Sequence, residues 1–170
     1  MTEAFNDRKR FIVLSLCRAI LLGVWAALIP AGALASLKII TLNELVQKSD
    51  VIARGELTAA TSSQHAAVAS LKITSVLKGK DLKANSTLPL CNQKVDSEHP
   101  DLATVSGDYV IFLARKGECF YPVWGYDALV VVRNGLASTA GIEDQPSDQP
   151  IEQFLGKVRS SVHRHVHDAQ

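Results

Sequence analysis

From Thr41 onward the spacing of apolar residues changes period several times, and each change predicts an element. Thr41 and Glu44 form a T-x-x-E capping box, with Leu42, Leu45 and Val46 on one face, which predicts a short helix ending near Ser49. Val51 to Thr58 reads as the first core strand, and Gly55 within it marks a bulge or a close backbone approach. Val68 to Leu77 alternates through Leu71 and Ile73, then shifts phase at Val76 and Leu77, as a bulged, coiled strand would. Lys78 to Asp81 is a turn, and Ser86 to Cys91 a third strand that Pro89 places at an edge or a bulge. A long polar loop follows from Asn92 to Ser106. The unbroken apolar run Tyr109 to Leu113 predicts a strand buried on both faces. Phe120 to Tyr126 and Leu129 to Val132 are further strands, and Asn134-Gly135 supplies a type I′ hairpin turn into Leu136 and Ala137.

Asp144 to Pro150 repeats a tripeptide over so short a span that it reads as a linker. Beyond it Ile151, Phe154, Leu155, Val158 and Val162 recur at helical spacing, with Asp148 as the expected cap and Pro150 in the first turn. The order is a short helix, five to seven strands and an amphipathic C-terminal helix. That order predicts an α+β, mainly β fold whose antiparallel sheet is closed or half-closed.

The N-terminal segment has a different pattern. Arg8, Lys9 and Arg10 precede two apolar blocks, Phe11 to Cys17 and Ala19 to Ile29, divided by Arg18 and followed by Pro30, Gly32 and Ala33-Leu34-Ala35. This is the layout of a cleaved export signal over residues 1–35. A spanning helix needs about 20 apolar residues, and the run here is short and broken by Pro30, so an uncleaved anchor is the weaker alternative. A lipid anchor at Cys17 is weaker again, because Leu16 precedes it and the longer apolar block follows it. Export places the mature chain in the periplasm or the medium, with no stable membrane insertion after cleavage. The mature chain then runs from Ser36 to Gln170, with one domain over 36–160 and a flexible, His-containing tail over 161–170.

Losing Arg8, Lys9, Arg10 and Arg18 from 18 basic residues, and Glu3 and Asp7 from 17 acidic ones, leaves a mature charge of −1. With no basic run, nucleic acid is not expected as a partner. Cys17 leaves with the leader, and the remaining Cys91 and Cys119 suggest one disulfide in an oxidising compartment. Two buried free thiols or a redox pair are the alternatives, the latter lacking a C-x-x-C spacing.

Leu45 to Gly55 (L-V-x-x-S-D-V-I-x-x-G), Leu71 to Gly79 (L-x-I-x-x-V-L-K-G) and Asp108 to Leu113 together resemble a group of small exported bacterial domains. Those are similar in turn to netrin-like modules and tissue inhibitors of metalloproteinases, so the resemblance implies an OB-type five-stranded barrel with flanking helices. The matched positions support a fold rather than an activity. The inhibitors act through a disulfide-pinned N-terminal cysteine set on the catalytic zinc. Here the expected first residue is Ser36 and no mature cysteine precedes Cys91, so zinc-protease inhibition by that mechanism is not expected.

The candidate chemistry is sparse. His163, His165 and His167 form an H-x-H-x-H set that could hold a metal weakly, His163 and His167 sharing a face if the last helix continues. Asp96, Glu98, His99 and Asp101 cluster in the long loop, at a spacing unlike an EF-hand, and read as a hydrated or partner-contacting loop. No nucleophile elbow, phosphate loop, dinucleotide fingerprint or H-E-x-x-H motif occurs, and no cofactor is expected. Alternation places Phe120, Trp124 and Tyr126 on one strand face, a candidate partner surface with Glu98 and His99. The favoured expectation is an exported, non-catalytic binding or inhibitory module for an unknown protein or cell-envelope ligand. The alternatives are a small exported hydrolase with a dispersed site and a weak metal binder.

Overall fold

The computed structural model describes residues 40–59, 67–92 and 99–168; the proposed leader over 1–35 and Asp96 and Glu98 lie outside them. Helix α1 is Leu42–Lys48, and both halves of its capping box are formed. Thr41 N–H donates to Glu44 Oε2 at 3.0 Å, and Glu44 N–H donates to Thr41 Oγ1 at 3.3 Å. The Thr41 and Glu44 donors are thus met within the box, and the Leu42 N–H by Asp144 Oδ1 at 2.9 Å, 102 residues away in sequence. At the other end the Lys78 ammonium donates to the Val46 and Ser49 carbonyls. Its burial there lowers the Lys78 pKa, an effect only partly opposed by Asp50.

The strands are β1 (Val51–Ala59), β2 (Ala69–Lys78), β3 (Thr87–Leu90), β4 (Gly107–Lys116), β5 (Cys119–Pro122), β6 (Leu129–Arg133), β7 (Leu136–Ser138) and β8 (Asp148–Pro150). Five of them close into a barrel in the order β1-β2-β3-β5-β4, with β4 returning to β1. This is the OB-like barrel of an α+β chain, flanked by α1 and by α2 (Ile151–Asp168). All its pairings are antiparallel except β3 with β5, which run parallel and meet at Leu90 and Phe120. Strands β6, β7 and β8 extend the sheet from β4.

The expected irregularities in β1 and β2 are present. The register slips between Ile52 and Ala53 and again between Arg54 and Gly55, so Leu77 and Thr74 of β2 have no opposite residue. These bulges coil β2 enough to close a small barrel. Gly55 is the close approach: a Cβ built there would lie 2.2 Å from the Lys72 carbonyl oxygen.

Burial divides the apolar residues into two cores. Val51, Ala53, Leu57, Leu71, Ile73, Leu90, Tyr109, Ile111 and Leu113 fill the barrel. Ile52, Val110 and Phe112 point out of it, against Leu45 and Val46 of α1 and Phe154, Leu155 and Val158 of α2. Phe112 meets Phe154 edge to face at 6.5 Å between ring centroids. Strand β4 is therefore buried on both faces, which is why its sequence is continuously apolar. Among the described residues, no helix is long and apolar enough to cross a membrane.

Several expectations are corrected. The strand expected over Phe120 to Tyr126 stops at Pro122; Val123 N–H still bonds to the Phe112 carbonyl in register, and the chain then leaves the ladder at Gly125, whose φ of 55° opens a 3-10 turn at Gly125–Ala128. The presumed linker contains β8, which pairs with β7 from Leu136↔Pro150 to Ser138↔Asp148. Pro150 therefore ends a strand, and α2 begins at Ile151 instead of enclosing the proline. The helix continues through Asp168, where a flexible tail from 161 was expected; Ser161 is buried, and Asn43 Oδ1 of α1 accepts from its hydroxyl and from Arg164 Nη2. In the long loop a 3-10 turn at Leu102–Thr104 buries Leu102 in the barrel core.

Gly55→Ala should destabilise the fold by about 3 kcal/mol, because the clash is with β2 backbone that cannot rotate away. Urea unfolding of the variant beside wild type checks this; an unchanged midpoint would mean that β1 and β2 are not packed as described.

Candidate functional site

Cys91 and Cys119 are joined by a disulfide, their Cα atoms 5.8 Å apart. Cys91 directly follows β3 and Cys119 opens β5, so the bridge lies across the parallel seam that closes the barrel. Beside it, Cys91 N–H donates to the Phe120 carbonyl at 3.0 Å. Next to this seam Asn92 is tied to the turn at Asp101 and Leu102. Asn92 Nδ2 donates to Asp101 Oδ1 at 2.8 Å, and Asn92 Oδ1 accepts from Leu102 N–H at 2.9 Å. His99 stands at this corner with Asn92, Pro100, Leu102 and Pro122, around a gap with no room for a water.

The three aromatic residues expected on one face are separated. Phe120 is only 8% exposed and packs in the barrel, with the Arg115 guanidinium 5.8 Å from its ring. Trp124 leads into the 3-10 turn, is partly buried against the helix-side core, and carries the Lys48 ammonium 4.0 Å from its ring centroid. Tyr126 within the turn is 56% exposed. Next to it the Asp127 side chain packs on Gly141, where an added Cβ would lie 1.9 Å from Asp127 Oδ1. Burial, with no ion pair to a described residue, raises the Asp127 pKa from its ordinary value.

A charged groove between β1, β2, the start of β4 and α2 went unnoticed in the sequence. It has a volume of about 570 Å3 and is lined by Arg54, Glu56, Thr74, Asp108, Glu152 and Arg159 among others. Arg54 Nη2 donates to Asp108 Oδ2 at 2.8 Å, and its Nε lies 3.3 Å from the same oxygen. The Asp108 bond raises the Arg54 pKa against the opposing effect of burial. Thr74 Oγ1 donates to the Arg54 carbonyl at 3.1 Å. The one sequence signal was Arg54 itself, the one cation in β1; Asp108, its partner, is 54 residues away.

His163 and His165 lie on α2, the former exposed and the latter partly so; the helix backbone includes His167, whose side chain is outside the described set. Among the described residues, no three His, Cys, Asp or Glu side chains converge as a metal site would require. The structure thus gathers His99 with the disulfide corner and Trp124 with Tyr126, but not all of them into one surface.

Two outcomes test these local readings. Replacing Cys91 and Cys119 by serine removes a closed loop with a sequence separation of 28, worth about 3 to 4 kcal/mol in the chain-entropy model. The melting temperature should fall by about 10 °C, and an unchanged melting curve would show that the bridge contributes nothing. For Asp127 the folded state holds the proton more tightly than the unfolded chain, so stability is lost as pH rises from the ordinary carboxylate range through the raised pKa. Asp127→Asn should therefore unfold at higher urea than wild type near neutral pH, and the difference should close below the ordinary carboxylate range. A pH-independent difference would contradict this.

Compared with known protein families and with curated proteins, the chain matches neither a family model nor any individual sequence.

Proposed function

We propose that this chain is an exported binding module, working in the periplasm or outside the cell, that engages a protein or cell-envelope ligand and performs no chemistry of its own. The observation that carries this reading is Tyr126, an aromatic 56% exposed on a short turn with Trp124 beside it, mounted on a disulfide-closed barrel. A large aromatic held out on a rigid support loses little conformational entropy on contact, and such residues dominate binding energy at protein interfaces. The charged groove supports the same reading. Asp108 is engaged by Arg54 and Thr74 donates to a backbone carbonyl, while the Ser75 hydroxyl makes no hydrogen bond to Glu56 or Glu152 among the described residues, whereas hydrolysis needs a nucleophile beside a free base.

Export accounts for the bridge between Cys91 and Cys119, since oxidising compartments are where structural disulfides persist. The resemblance to netrin-like domains and metalloproteinase inhibitors is proposed as one of architecture, without the inhibitors' zinc-directed N-terminus. The immobilised chain from Ser36 onward, exposed to envelope extract, should retain a specific partner. Tyr126→Ala should weaken that interaction about 30-fold, the effect of losing a hot-spot aromatic, while the exposed position leaves the melting temperature unchanged. Equal retention by wild type and variant would overturn the assignment of the turn, and turnover of an ester, peptide or glycoside substrate by the purified chain would overturn the non-catalytic reading.

A further inference from the structure

A second cleft, of about 510 Å3, lies where the start of α1, the turn at Asp144 and Gln145, and α2 come together. Its chemistry differs from that of the Arg54 groove. There Arg54 and Arg159 face three carboxylates, Asp108, Glu56 and Glu152, and Arg54 is paired with Asp108. Here both cations are held by neutral oxygens. Lys157 Nζ donates to Gln145 Oε1 at 2.9 Å, and Arg164 Nη2 donates to Asn43 Oδ1 at 3.2 Å.

Those two amide oxygens are fully used. Gln145 Oε1 also accepts from Gln149 Nε2, and Asn43 Oδ1 also accepts from Ser161 Oγ. Each amide therefore fixes a cation without cancelling its charge, and the NH2 groups of Asn43 and Gln145 have no hydrogen-bond partner among the described residues. The only carboxylate lining the cleft, Asp144, gives its Oδ1 to the Leu42 N–H. The cleft thus presents two fixed positive charges and two open amide donors against one carboxylate already engaged.

The floor is also shaped for close approach. Gly156 lies within α2, where glycine is less favourable than alanine, and a Cβ built there would meet nothing within 4 Å. Packing inside the chain gives no reason for glycine at that position, whereas bare backbone facing an open cleft admits a ligand. Lys157 and Arg164 are two helical turns apart, about 10 Å along the axis. An occupant that satisfies both must carry anionic groups at about that separation.

We propose that this cleft is a docking site for an acidic peptide segment carrying two carboxylates about 10 Å apart. The carboxylates pair with Lys157 and Arg164, and the segment's carbonyl oxygens accept from the Asn43 and Gln145 amides. Peptide rather than small anion is indicated by the seven-residue spacing of the two cations along α2, each held by a different amide, and by the uncharged donors accompanying them. The site is separate from the Tyr126 turn and stands whether or not that turn has a partner.

The test is a chemical-shift titration of the isotope-labelled chain from Ser36 onward with the capped peptide Glu-Pro-Pro-Glu. Polyproline geometry sets its carboxylates about 9 Å apart on one side. Saturable shifts at Asn43, Gln145, Lys157 and Arg164 are expected, weakening as salt is raised. Lys157→Gln and Arg164→Gln should each reduce affinity about tenfold, the loss of one charge-assisted contact. Arg54→Gln should leave affinity unchanged, and the neutral peptide Gln-Pro-Pro-Gln should not bind. The proposal is overturned if the acidic peptide produces no saturable shifts, if Arg54→Gln abolishes binding while Lys157→Gln does not, or if inorganic pyrophosphate saturates the same residues more tightly than the peptide.

Discussion

Strand β4 is the wall between two hydrophobic cores, and the described fold depends on its being buried on both faces. Tyr109, Ile111 and Leu113 point into the barrel, while Val110 and Phe112 point toward the helices. At roughly 1.5–3 kcal/mol for each large apolar side chain buried, neither set can be given up in a domain of ordinary marginal stability. The neighbouring strand β1 is divided in the same way, with Ile52 facing the helices and Val51, Ala53 and Leu57 facing the barrel. The helices are therefore not ornaments on a finished barrel. They cover the apolar outer face that β1 and β4 would otherwise expose to water.

The weak point of this arrangement is the seam between β3 and β5. Every other junction of the ring is an antiparallel ladder of several residue pairs, whereas the seam is a parallel contact at Leu90 and Phe120 with one hydrogen bond from Cys91 beside it. The disulfide sits where the hydrogen-bonded ladder is shortest. It also fixes the root of β5, and so the path by which the chain leaves the barrel through Pro122 into the turn that carries Trp124 and Tyr126. The two candidate surfaces rest on different parts of the construction. The aromatic turn depends on the stapled seam, and the cationic cleft depends on α1 and α2 being docked over the outer face of β4.

What could be read from the sequence was local. The capping box of α1 is legible because both its hydrogen bonds lie within four residues, and the N-G turn because Asn134 and Gly135 themselves adopt the required positive φ angles. The double-sided burial of β4 and the bulges of β2 were also visible, since both are written as runs and phase shifts. What was missed was set by distant partners. Phe120 to Tyr126 alternates like a strand, but after Val123 has bonded to Phe112 in register the chain turns at Gly125, whose φ is positive. The Asp148–Pro150 segment is polar like a linker, yet β7 offers it an open edge. The last helix runs on past Val162, the end of its apolar stripe, where Arg164 reaches Asn43, 121 residues earlier. Neither the Arg54–Asp108 pair nor the amide-held cations of the cleft leave a short-range trace.

The central claim is that β4 makes the barrel and the helical layer one cooperative unit, with the seam as its covalent closure. Native-state hydrogen exchange on the oxidised and the disulfide-reduced chain measures this directly. Reduction should lower the protection of slow amides in β3 and β5 and of those in α2 by the same free energy, because loss of the seam is transmitted through β4 to the helix side. If the barrel amides lost protection while the α2 amides kept theirs, the two cores would be independent and the account would fail.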